Sequence, residues 1–194
     1  EGAEKFMTAI QTNIEKMKQF TSNLMDLTPI ASKKETIYFE QLLAEVIDYL
    51  KPQKRFRGVT IEHTPSNEPI PFDADSIHIQ QLLYNLFNNA ADATRECSRR
   101  HIAARIEHLP GDTFFRLVIT DSGVGIEPEL LAKAFEQKFT TKPDGHGFGL
   151  LVCKRIIDSH NGRLHVDSTP GKGTSISIKF PLSGAAVVDA EENT

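Results

Sequence analysis

The sequence predicts an α+β domain: a two-layer α/β sandwich with a mixed, mostly antiparallel sheet and helices on one face, preceded by a long N-terminal helix. Three observations predict it. Two pairs of β-rich runs, near 101–109 and 113–120 and near 163–168 and 174–180, close over Pro110-Gly111-Asp112 and Thr169-Pro170-Gly171-Lys172-Gly173, turn chemistry that makes antiparallel hairpins. Between and before them, apolar residues recur at helical spacing. The order helix, strand, helix, strand, strand, helix, helix, strand, strand breaks the strict alternation that a doubly wound parallel sheet requires.

Taken in order, residues 1–28 read as a long helix in which Phe6, Ile10, Met17, Leu24 and Leu27 recur by threes, fours and their sums, with Ile14 and Phe20 filling the same stripe and Pro29 ending it. One amphipathic helix of this length cannot bury its stripe alone, so a role in dimerisation is expected. A linker over 29–37 follows, and residues 38–182 form the main domain. Phe39, Leu42, Leu43, Val46, Ile47 and Leu50 make one helical face, closed by Pro52. Val59 and Ile61 mark a strand, and Pro69 and Pro71 hold Ile70 in a short extended piece. Asp75 is placed to cap a helix through Ile79, Leu82, Leu83, Leu86, Phe87 and Ala90. The first hairpin comes next, then a short helix near 127–134 opened by Glu127-Pro128. Residues 147–160 read as a helix stopped by Asn161-Gly162, before the final hairpin. Residues 183–194 are small and acidic and are expected to be a disordered tail.

The chain has 194 residues, 39% of them hydrophobic, which suits one compact domain with an extension. A net charge of -4 gives no basic footprint for nucleic acid. No apolar run approaches the roughly 20 residues of a membrane helix, and no leader pattern is read at the start. The two cysteines, Cys97 and Cys153, lack metal-ligand spacing and read as free thiols. A cytoplasmic setting is expected, with membrane attachment of any parent protein left open.

Three stretches carry the chemistry. In Asn85-Leu86-Phe87-Asn88-Asn89-Ala90-Ala91-Asp92-Ala93, Asn85 and Asn89 are four apart and share a helical face. Three asparagines in five positions are poor for a helix, which points to a purpose. Mg²⁺ takes oxygen ligands and keeps several waters, so the Asn89 carboxamide can bind it without adding charge beside phosphates. In Asp121-Ser122-Gly123-Val124-Gly125-Ile126, a carboxylate at a strand end can accept from the exocyclic amine of adenine, where guanine offers a carbonyl and is refused. Gly123 and Gly125 let backbone approach a flat ring. Alone, Asp-Ser-Gly is a common turn. In Gly145-His146-Gly147-Phe148-Gly149-Leu150, a glycine run enters a helix, whose first N–H groups suit an anion. No Gly-Lys-Thr or Gly-Lys-Ser closes it, so it is not a Walker A loop. Lys142, in Phe139-Thr140-Thr141-Lys142, can reach a terminal phosphate or remain a solvated loop lysine, and His146 has the same two readings. Thr174 can bring a hydroxyl toward the base or pack in its strand. Together the three stretches describe an ATP site.

These boxes, in this order, resemble the catalytic ATP-binding domain of bacterial sensor histidine kinases in the GHKL ATPase superfamily, with its Bergerat-type fold, from about Phe39 to Leu182. Gln137 and Lys138 depart from the family's pattern, where proline and an aromatic are common, and the lid between Lys142 and Gly145 is short. The resemblance implies ATP and Mg²⁺, with Asn89 on the metal, Asn85 supporting it and Lys142 at the terminal phosphate as the catalytic set. It implies that Asp121 reads adenine, that Gly123, Gly125 and Thr174 shape the base pocket, and that Lys142, His146, Gly147, Gly149 and Leu150 lie along the phosphates. Asp92, Ile126, Phe139, Thr140, Thr141, Gly145 and Phe148 complete the implied nucleotide-binding set. The γ-phosphoryl group would pass to a histidine on dimerisation helices and then to an aspartate of a response regulator. Residues 1–28 resemble the second of those helices. They hold no histidine, the first in the chain being His63, so the sequence reads as part of a longer, homodimeric protein without its own acceptor. Topoisomerase, mismatch-repair and chaperone ATPases of the superfamily use a Glu one turn before the metal-binding Asn to activate water. Asn85 stands there instead, which favours transfer to a protein.

Overall fold

The computed structural model describes residues 33–64, 69–109, 111–134 and 149–184. The chain divides into two compact units, 1–32 and 33–194. The expected N-terminal helix, the acidic tail beyond 184 and the run from Phe135 to Phe148 lie outside the described residues.

The elements are β1 (Glu35–Tyr38), α1 (Phe39–Leu50), a 3₁₀ turn (Lys54–Phe56), β2 (Thr60–Thr64), β3 (Pro71–Ala74), α2 (Ser76–Ala93), β4 (His101–Glu107), β5 (Phe114–Asp121), α3 (Pro128–Ala134), α4 (Gly149–Ser159), β6 (Arg163–Thr169) and β7 (Gly173–Pro181). Five strands form one sheet in the order β2-β4-β5-β7-β6. The β2–β4 pair is parallel and the remaining neighbours are antiparallel. This is the mixed, mostly antiparallel sheet the sequence predicts. Along β5, Phe115, Leu117 and Ile119 are buried, and they meet the apolar faces of α1, α2 and α4 in one core. Glu62, Arg105 and Arg116, at alternating positions, are exposed, so the helices cover a single face.

Phenylalanines dominate that core. Phe39 stacks 4.8 Å from Phe115, and Phe72 lies 4.9 Å from Phe180, ring centroid to centroid. Each buried ring is worth about 2 kcal/mol in removed apolar surface alone. Residues 35–38 correct the linker read over 29–37. They form β1, which pairs antiparallel with β3, Glu35 opposite Ala74, while Thr36 Oγ1 donates to Asp73 Oδ1 at 2.7 Å. Four residues with one inward apolar side chain, Ile37, carry no alternation signal.

Two helix ends place the site. Asp75 caps α2, its Oδ1 accepting from the N–H groups of Ile77 at 3.1 Å and His78 at 3.2 Å. At the end of α4, Asn161 takes φ +56° and Gly162 N–H donates to Ile157 O at 2.9 Å, which turns the chain into β6. Among the described residues, no helix is long and apolar enough to cross a membrane.

Candidate nucleotide-binding site

β5 delivers Asp121 at its end, in register with Ile102 of β4 and Thr174 of β7. The residue is only 8% exposed. Burial pushes its carboxyl up from 3.8 to about 6, against the opposing pull of backbone hydrogen bonds from Gly123 and Thr174. Gly123 N–H donates to Oδ1 at 2.8 Å. At neutral pH the site therefore holds a buried, oriented acceptor.

The loop after it is pinned on both sides. Val124 N–H donates to Ala93 O at the end of α2 (3.2 Å), and Val124 O accepts from Gly171 N–H in the β6–β7 turn (2.7 Å). Gly125 has φ +70°, and a Cβ there would stand 2.1 Å from Thr169 O. A Cβ on Gly123 would stand 2.6 Å from Asp121 Oδ1 and 2.7 Å from Ala93 Cβ. Ile126 N–H donates to Ser168 Oγ at 2.8 Å, and Ser168 Oγ is 2.9 Å from Thr174 Oγ1. Thr174, buried, is thus tied to the same loop it faces across the register.

α2 passes beside this loop with Asn85, Asn89 and Asp92 half-buried on successive turns while Leu82, Leu83, Leu86 and Phe87 fill the core. The Asn85 side chain hydrogen-bonds the thiol of Cys153 on α4, whose pKa burial pushes up to about 12. Such a thiol stays protonated and inert. Asn85 therefore locks α2 against α4. Asn89 faces the first residue of α4: its Nδ2 is 3.9 Å from where a Cβ on Gly149 would stand. Gly149 and Leu150 open that helix, where backbone N–H groups have no intrahelical partner. Asp92 Oδ2 lies 3.2 Å from Arg55 Nη1. Asp121, Gly123, Gly125, Ile126 and Thr174 are thus tied together beside the end of α2, and Asn89 lies beside Gly149 at the start of α4. Phe139, Thr140, Thr141, Lys142, Gly145, His146, Gly147 and Phe148 fall outside the described residues.

For a metal, the donor chemistry decides. Among the described residues, no group of three or more His, Cys, Asp or Glu could hold an ion. The Asn89 amide oxygen is a hard, neutral donor. It suits an ion that brings its own waters and phosphate oxygens, as Mg²⁺ does.

A family model described as histidine kinase-, DNA gyrase B-, and HSP90-like ATPase matches residues 74–184, over half the chain and all of α2, β5, α4 and β7. The chain belongs to this ATPase family. Within it, the chain is similar to sporulation kinase A of Bacillus subtilis, 29% identical over 93% of this chain and 30% of that protein. It is also similar to the sensor protein TdiS of Thauera aromatica, 35% identical over 73% of this chain and 26% of that protein. The chain spans less than a third of the length of these two curated relatives. Among solved structures, the catalytic domain of the histidine kinase ThkA superposes with a TM-score of 0.66 at 29% identity, covering 77% of this chain and 95% of that one. A mycobacterial sensor histidine kinase, MprB, gives 0.65 at 26%, over 77% and 97%. The described unit is thus a histidine-kinase-type ATPase domain, and ATP is its nucleotide.

Some residues that shape this ATPase domain's site carry no sequence signal. Ser168 follows Leu164 and Val166 on the half-buried side of β6, and only the β6–β7 register brings it to Ile126 and Thr174. Arg55 and Cys153 reach the asparagine face from distant segments, and neither belongs to a motif.

Proposed function

We propose that this chain is the ATP-binding kinase part of a sensor histidine kinase, which transfers the γ-phosphoryl group of Mg-ATP to a histidine on dimerisation helices for relay to an aspartate of a response-regulator receiver domain. The observation that carries it is the buried Asp121 carboxylate, held by Gly123 N–H at the end of β5 and tied through Val124 and Ala93 to the helix that bears Asn89. Asp121 accepts from the adenine amine, and Gly123, Gly125, Ile126 and Thr174 wall the base. Asn89 binds Mg²⁺ together with the phosphates. The metal neutralises charge on the phosphoryl group in transfer. The start of α4, at Gly149 and Leu150, takes phosphate oxygens on its N–H groups. Lys142, His146, Gly145, Gly147, Phe148, Phe139, Thr140 and Thr141 complete the phosphate side.

Position 85 favours transfer over hydrolysis. Its carboxamide is engaged with Cys153 and offers no base to a water molecule. Residues 1–28 supply the second helix of a dimerisation hairpin, and the parent protein is a homodimer.

The test is titration by calorimetry in magnesium buffer. ATP should bind, and GTP should bind at least about 100-fold more weakly, because its carbonyl faces an acceptor. Equal affinity for the two nucleotides would remove Asp121 from its role. Labelled ATP should then mark an added histidine-bearing helix pair in acid-labile form.

A further inference from the structure

We infer that Arg55 is a positioning residue of the triphosphate site: it neutralises Asp92, so that the Asn89 face of α2 can receive a polyanion. This rests on the Mg-ATP reading of the site above. Asp92 follows Asn89 by three residues, one turn along the same face. Its side chain is 19% exposed, so water screens its charge poorly. A carboxylate so close to a nucleotide's phosphates repels them unless a cation stands beside it. Arg55 Nη1 stands 3.2 Å from Asp92 Oδ2. A guanidinium keeps its charge at every physiological pH.

Arg55 is also held at that spot. Arg100 donates from Nη2 to Arg55 O at 3.2 Å and to Ala91 O at 3.4 Å, and from Nη1 to Arg57 O at 2.7 Å. One side chain therefore clips the 3₁₀ turn onto the last turn of α2, immediately before Asp92. Phe56, next in sequence, is buried in the core and fixes the turn from the other side. An ordinary exposed ion pair between mobile side chains contributes little. This one has a pinned backbone on both partners, and it lies at the end of the helix that carries the asparagines.

The experiment measures adenosine, ADP and ATP binding by calorimetry, with Mg²⁺, to the full chain and three variants. Arg55→Ala should weaken Mg-ATP by about tenfold, ADP by less and adenosine not at all, since the penalty follows phosphate charge. Arg55→Lys should retain most of the affinity. Arg55→Ala/Asp92→Asn should recover Mg-ATP binding to within about threefold of the parent, because the charge that needed a partner is gone. Unchanged ATP affinity in Arg55→Ala overturns the inference while leaving the ATP site intact. A double variant as weak as the single one overturns it too, as does a parallel loss of adenosine binding, which would mark a structural role. Failure of the unmodified chain to bind Mg-ATP would instead bring down the reading of the site itself, and this inference with it.

Discussion

A carboxyl group buried at the end of β5 costs the empty domain stability and serves only when a nucleotide is present. With a folded pKa near 6 against an ordinary 3.8, Asp121 keeps its proton in the folded chain over a range where the unfolded chain has released it. The folded state then binds more protons, so the group's contribution falls as pH rises from about 4 to about 6 and is level above that. Two units correspond to about 3 kcal/mol of destabilisation at neutral pH. Asp121→Asn should therefore raise the melting midpoint of the nucleotide-free domain at pH 8, with the gain vanishing below about pH 4, where both side chains are neutral. The same change should weaken ATP by at least about 100-fold, because the amide cannot match the carboxylate's acceptors. Scanning calorimetry at the two pH values checks the first part. An unaltered midpoint at pH 8 would mean that the desolvation penalty is not there. In the parent chain, affinity for ATP should decline as pH falls through about 6.

At the scale of elements, the loop 122–126 is held by the close approach of three backbones, and glycines permit it. Gly173, at φ +102°, has Asp121 O only 2.0 Å from the place of a Cβ, whereas Gly171, at φ +77°, has nothing within 4 Å. Gly171→Ala should thus cost about 1 kcal/mol, the left-handed backbone penalty. Gly173→Ala must also displace β5 and should cost about 3 kcal/mol or more. Urea denaturation separates the two, and equal midpoints would refute the steric account. These positions also show what the sequence could convey. Turn chemistry around Pro110-Gly111-Asp112 and Thr169–Gly173 announces both hairpins, and Asp75 announces the start of α2, because these signals are local. β1 is silent, since its pairing with β3 is tertiary. The parallel β2–β4 contact is equally silent, since nothing in Thr60–Thr64 specifies its neighbour. Within the site, Asn89, Asp121 and the glycines are legible as residue types whose chemistry is unusual for their element. Ser168, Arg55 and the Asn85–Cys153 contact become visible only once register and packing join segments far apart in sequence.

For the whole molecule, the buried hydrophobic core of the described residues runs from Phe39 to Phe180, within the unit 33–194. A fragment beginning at Lys33 should therefore fold cooperatively and bind Mg-ATP within about threefold of the full chain, since every described site residue lies in the second unit. Circular dichroism and calorimetry check this, and a fragment that fails to melt cooperatively would show that the first unit completes the core. Phosphoryl transfer should divide differently. Residues 1–28 contain no histidine, and of those in the second unit His78 and His160 are buried. His160 is further committed: its Nε2 accepts from Asp75 N–H at 3.1 Å and its Nδ1 lies 2.7 Å from Ile156 O. A nucleophile must present a free ring nitrogen in line with the γ-phosphorus, which a histidine locked between two backbone groups cannot do. Labelled ATP should accordingly leave the chain itself unmarked while marking an added histidine-bearing helix pair. Acid-labile label on this chain alone would mean that one of its own histidines reaches the phosphate, and that the acceptor does not have to come from elsewhere.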